Sequence, residues 1–141
     1  MKERLKALER ICQQFGVAAL YTFGSQAQMV RDWVEERQDH LPPGLSDVDI
    51  GIKLVPGVKC FIAEKIRLAI ALEDLLGCLR VDLVLLNEAD PFLAAEIIRG
   101  ERLFARDEHE ADEYDLYILR RAGDLAPLER ERMALVLREP T

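Results

Sequence analysis

Three aspartates and one glycine–serine pair are the residues of this chain whose types and spacing can do chemistry. Asp47 and Asp49 stand two apart in DVDIGIKL, residues 47–54, so on a strand both side chains leave the same face. Asp82 is the second residue of VDLVLL, residues 81–86, another short apolar run. If the two strands are neighbours, three carboxylates converge on one patch of sheet. At an effective dielectric of about 20, each close pair of like charges costs up to about 4 kcal/mol. A fold keeps such a cluster most readily around a cation, and oxygen donors without Cys or His favour Mg²⁺ or Mn²⁺. Gly24-Ser25 falls between an apolar run and a helical segment, where free amides and a hydroxyl make a phosphate cradle. Cradle and carboxylates together describe a nucleotide–metal site, in which two ions roughly 3.5–4 Å apart hold an attacking and a leaving oxygen in line. The same residues also admit a purely structural reading. Ser46 and Asp47 can cap a turn, Asp82 can be a solvated neighbour of Arg80, and Gly-Ser ends many strands.

The elements that must position these residues are read from periodicity. Leu5, Leu8, Ile11, Cys12 and Phe15 recur at helical spacing over 2–15, and Gly16 is a plausible terminator. VAALYTF, residues 17–23, is rich in strand formers. Residues 26–37 read as a helix with Ala27, Val30 and Val34 on one side, and Gln38 to Ser46 as a loop containing Pro42 and Pro43. In 47–54, Val48, Ile50, Ile52 and Leu54 alternate with Asp47, Asp49, Gly51 and Lys53. Residues 58–76 place Phe61, Ile62, Ile66, Ala69, Ile70 and Leu76 on an amphipathic helix ended by Gly77. Asp90-Pro91 reads as an N-cap with proline at the first helical position, opening a helix to about Arg99. Arg102 to Ala105 suggests a short strand, and the remainder a helical tail in two pieces parted near Gly123 to Pro127. This alternation implies an α/β domain with helices packed on a sheet. The expectation is a single domain over 1–141, with a motif core at about 15–106 and the tail at about 107–141.

Composition narrows the function classes. The chain has 141 residues, 26 acidic against 19 basic, and a net charge of −7. An acidic domain without a basic stripe is a poor binder of nucleic acid or anionic membrane, so neither is expected as a direct partner. No apolar run is long enough to span a bilayer. Cys12, Cys60 and Cys78 lack metal-ligand spacing and read as small hydrophobes in a reducing cytoplasm. His40 and His109 read as surface residues. Trp33 is expected to pack into the core, and the acidic run from Arg106 to Asp115 to be a solvated helix face. The amphipathic stretch from Leu128 to Leu137 packs either on its own domain or on a partner.

Phe23-Gly24-Ser25, then Ser46-Asp47-Val48-Asp49-Ile50, then Val81-Asp82-Leu83-Val84 resemble the signature of the DNA polymerase β-like nucleotidyltransferase superfamily. The chain's size resembles the minimal nucleotidyltransferases, or MNT proteins, and the stretch from Glu96 to Phe104 is similar to the segment after their third aspartate. The resemblance covers about residues 15–106. It implies a small mixed sheet flanked by helices. It implies that Asp47, Asp49 and Asp82 bind two Mg²⁺ ions, with Asp82 as a base toward the incoming hydroxyl, and that Gly24 and Ser25 hold the β- and γ-phosphates of ATP. The implied reaction transfers a nucleoside monophosphate, AMP from ATP, to a hydroxyl of a partner protein. That partner would be a helical HEPN toxin, with this chain as its antitoxin.

Two departures from the family pattern keep other readings open. Members usually carry a basic residue soon after Gly-Ser, whereas this chain has Gln26 and Gln28, with Arg31 or Arg37 as substitutes. Residues 26–46, 21 positions, separate Ser25 from Asp47, a longer interval than the family's usual one. Added loop length costs little in closure entropy. The alternatives are a degenerate antitoxin that neutralises its partner by contact and, lower, a transferase acting on a small molecule such as an antibiotic. The acceptor, the nucleotide preference and self-association are not legible in the sequence.

Overall fold

The computed structural model describes residues 2–39, 41 and 47–138. The elements are α1 (Glu3–Phe15), β1 (Val17–Phe23), α2 (Ala27–Val34), β2 (Asp47–Leu54), α3 (Ile62–Leu76), β3 (Arg80–Leu85), a 3₁₀ turn (Leu86–Glu88), α4 (Pro91–Ile98), β4 (Glu101–Ala105) and α5 (Glu108–Arg138). The strands form one mixed sheet in the order β3-β2-β1-β4. β1 runs antiparallel to both β2 and β4, and β2 runs parallel to β3.

Strand alternation sorts the side chains into two layers. Val48, Ile50 and Ile52 of β2, with Val81, Leu83 and Leu85 of β3, face a core shared with Leu8 and Cys12 of α1 and Leu68, Leu72 and Leu76 of α3. The opposite face carries Ala19 and Tyr21 of β1 against Ala94, Ala95, Ile97 and Ile98 of α4 and Ile118 and Ala122 of α5. β1 is central and both its faces are covered, which accounts for its unbroken apolar run. The roof over the second face reaches β2 at Gly51, where an added Cβ would meet Ile97 Cγ2 at 2.5 Å. Asp49 and Asp47 lie on the same face beyond that contact.

Polar groups tie the roof to the sheet. The hydroxyl of Tyr21, fully buried, donates to the Asp115 carboxylate. Arg102 of β4 donates to Asp115 at 2.9 Å, Asp112 at 2.8 Å and Glu108 at 2.7 Å. Part of the acidic run therefore anchors α5, while His109 is exposed beside Glu113. Trp33 is half-buried against the α1/α3 core, with the Arg4 guanidinium 4.5 Å from its ring centroid.

Several expectations need correction. α2 ends at Val34 rather than 37, and α3 begins at Ile62 rather than 58. α3 carries two apolar stripes at equivalent spacing, and the leucines face the core while Phe61, Ile62, Ile66 and Ile70 are exposed. The Glu73 carboxylate accepts the Val81 N–H at 2.9 Å, which fixes the rotation of α3 against β3. The tail is one helix, not two. Pro127 costs the helix its bond to the carbonyl of Gly123, but Gly123 is exposed and water can satisfy that group. Beyond Ala122 no described residue of α5 is buried, so Leu128, Met133, Leu135, Val136 and Leu137 do not pack on their own domain. His40, Pro42, Pro43 and Ser46 lie outside the described residues.

Two measurements check this packing. A Cβ at Gly100 would sit 2.4 Å from the backbone oxygen of Thr22, which cannot rotate away. Gly100→Ala is expected to lower unfolding free energy in urea by about 1–3 kcal/mol. Gly123→Ala meets nothing within 4 Å and should raise it by about 0.5–1 kcal/mol. Burial pushes the Cys12 thiol up to about 12, with Glu9 adding to the shift. A thiol reagent at neutral pH should therefore label half-buried Cys60 in the native protein and reach Cys12 only after denaturant is added.

Candidate functional site

The open end of the second sheet face is built by register. Asp49 lies across from Asp82 in the parallel β2–β3 ladder, and Asp47 lies across from Arg80. Paired residues of adjacent strands share a face, so the three carboxylates occupy one patch, the arrangement expected if these two strands are neighbours. Asp47 is exposed, and Asp49 and Asp82 are half-buried. Asp49 feels the crowding. Burial raises its pKa above the ordinary carboxylate value, with Asp82, Asp47 and Glu96 adding repulsion in that order.

On the other side of Asp49 the antiparallel ladder brings Phe23, and so the end of β1. Gly24 comes next with φ +85°, and a Cβ there would stand 2.8 Å from Asp49 Oδ2. Only glycine gives both the left-handed turn and the close approach of backbone to carboxylate. Ser25 is exposed just ahead of α2, and the Ala27 N–H bonds the Gly24 carbonyl at 3.3 Å. The structure thus brings Gly24, Asp49 and Asp82 together at one end of the sheet, with Asp47 and Ser25 flanking them. Thr22, fully buried, donates its hydroxyl to the Asp49 carbonyl at 3.2 Å and pins the two central strands beside the site.

The donor set is oxygen-only and partly open to solvent, which suits a hard divalent cation completed by water and phosphate. Among the described residues, however, no three carboxyl, imidazole or thiol groups are already gathered as a metal-holding cluster. Asp82 Oδ1 is instead paired with Arg80 Nε at 2.8 Å.

The substitutes for the absent basic residue are already engaged. Arg31 is held by Glu101 and Glu35, and Arg37 by Glu35 and Asp32. Gln28 donates its amide to Asp32 at 3.1 Å, and the Gln26 side-chain oxygen is buried without a hydrogen-bond partner.

Glu96 on α4 and Glu73 on α3 are residues of the site and its frame to which the sequence reading gives no role. Glu96 adds a fourth negative charge within reach of Asp49, and Glu73 sets where β3 begins. A helix pattern names the apolar face and leaves the polar positions equivalent, so it singles out neither, although the family-like stretch begins at Glu96. Glu73→Ala should destabilise the fold by about 1–2 kcal/mol, because the Val81 N–H loses a charged acceptor. Glu73→Gln keeps an oxygen acceptor and should retain most of that stability. Equal urea midpoints for Glu73→Ala and the parent would contradict the anchoring role.

A family model described as "Polymerase beta, Nucleotidyltransferase" matches residues 6–109. No curated protein matches the sequence. Among solved structures, a toxin–antitoxin MntA–HpeT mutant superposes with a TM-score of 0.65 at 18% identity, covering 94% of each chain. A toxin–antitoxin with AMP-PNP gives 0.64 at 19% identity, again over 94% of each chain. A complex of tri-AMPylated Shewanella oneidensis HEPN toxin with MNT antitoxin gives 0.61 at 17% identity, over 96% of each. At these identities the likeness is one of fold.

Proposed function

Because the chain belongs to the Polymerase beta nucleotidyltransferase family, we propose that it transfers a nucleoside monophosphate, AMP from ATP, to a hydroxyl of a partner protein. The partner is a HEPN-type toxin, and the chain acts as its antitoxin in the cytoplasm. Structures that share its fold include a complex holding AMP-PNP and a complex of an AMPylated HEPN toxin with its antitoxin. Among the described residues no helix is long and apolar enough to cross a membrane.

The observation that carries the reading is the position of Asp49 between the backbone of Gly24 and the side chain of Asp82. Asp47, Asp49 and Asp82 would hold Mg²⁺, and the bound ions supply charge neutralisation at the reacting phosphate. The Gly24 turn and the Ser25 hydroxyl hold the β- and γ-phosphates. The acceptor oxygen attacks the α-phosphorus, a new P–O bond forms as the bond to the β-phosphate oxygen breaks, and pyrophosphate leaves. The acceptor proton passes to the Asp82 carboxylate. Catalysis here rests on placement and charge more than on covalent participation by the protein.

A second reading, neutralisation of the partner by contact alone, is favoured by the engaged Arg31 and Arg37 beside Gln26 and Gln28. The two separate in one assay. The purified protein, incubated with α-phosphate-labelled ATP, Mg²⁺ and its partner, should label the partner. Asp47→Asn and Asp49→Asn should each reduce labelling by about 100-fold or more while the circular dichroism spectrum is kept. Labelling at the parent rate in both variants would refute the assignment. Absence of labelling with an intact complex would favour contact alone.

A further inference from the structure

Arg80 opens β3 directly across from Asp47, and Asp82, two residues on, shares its face. The Arg80 side chain is 69% exposed and that of Asp82 36%, so neither is trapped by packing. They are nevertheless joined, Nε to Oδ1 at 2.8 Å. Arg31 and Arg37 are held elsewhere, by carboxylates of α2 and β4 and of the segment after α2. Among the described residues, Arg80 is thus a cation paired with a member of the carboxylate patch itself.

We propose that Arg80 is a positioning residue for the third carboxylate, a built-in counter-ion that holds Asp82 in the cation-free protein and must release it when a divalent ion enters. The inference rests on the nucleotidyltransferase reading of the carboxylates. Its physical basis is competition. The guanidinium and a hard dication seek the same oxygen, and two positive charges beside one carboxylate repel each other. The pairing relieves the repulsion among Asp47, Asp49 and Asp82 when no ion is bound, and it weakens the ion's hold by the same interaction. Because the pair is solvent-exposed, the effect is modest, of the order seen for surface ion pairs.

The test is a titration of the protein alone with Mn²⁺, free ion being followed by electron paramagnetic resonance, without nucleotide or partner. Arg80→Gln should bind Mn²⁺ about two- to fivefold more tightly than the parent, and Arg80→Lys should fall between them. A purely structural role for Arg80 would not tighten ion binding. Equal or weaker binding by Arg80→Gln overturns the proposal while leaving the metal reading intact. Asp49→Asn is run beside them. If it binds Mn²⁺ as the parent does, or if the parent binds none, the metal reading itself falls and the proposal with it.

Discussion

Repulsion among carboxylates that share one face of a small sheet is the constraint to which the surrounding structure answers. Asp47, Asp49 and Asp82 are brought together by strand register, which is fixed by the apolar residues on the opposite face. A slip of one residue in β2 would turn Val48, Ile50 and Ile52 out of the core. The core therefore holds the charges in place through the register of β2 and β3. Glu73 and Thr22 strengthen the same register from α3 and β1.

The roof over that face stops where it must. α4 descends onto β2 at Gly51, the residue without a side chain, and Ile97 fills the space. One alternation further along, Asp49 faces partly open space beside the Gly24 turn. A polar site at the open end of an otherwise covered sheet can exchange water for ligand while its neighbours stay dry. Tyr21, Arg102 and Asp115 tie the roof down from within, so the boundary between covered and open sheet is held by hydrogen bonds as well as by packing.

Much of this was legible in the residues. Period-two alternation in DVDIGIKL placed Asp47 and Asp49 on one face, and the Asp90-Pro91 pair marked a helix start that the Asp90 carboxylate does cap, bonding the Phe92 and Leu93 N–H groups at 2.9 Å. The mixed α/β sheet was implied by the order of elements and by the family motifs. One failure arose because periodicity does not choose between two equivalent faces. On α3 the isoleucine stripe and the leucine stripe have the same spacing; in the structure Leu68, Leu72 and Leu76 pack into the core shared with α1, β2 and β3, and Glu73 bonds the start of β3. At Gly123 and Pro127 the local breaker signal was real, yet an exposed helix tolerates a hydrated carbonyl. Arg80 was visible only as the neighbour of Asp82, because an ion pair depends on side-chain placement and not on pattern.

Whether Asp47, Asp49 and Asp82 form one cation-binding patch opposite the Gly24 turn is decided by anomalous diffraction from crystals grown with Mn²⁺ and a non-hydrolysable ATP analogue. An anomalous peak bridging these carboxylates is expected, with the phosphates against Gly24 and Ser25. A peak elsewhere on the chain, or phosphates bound away from that turn, would overturn the assignment.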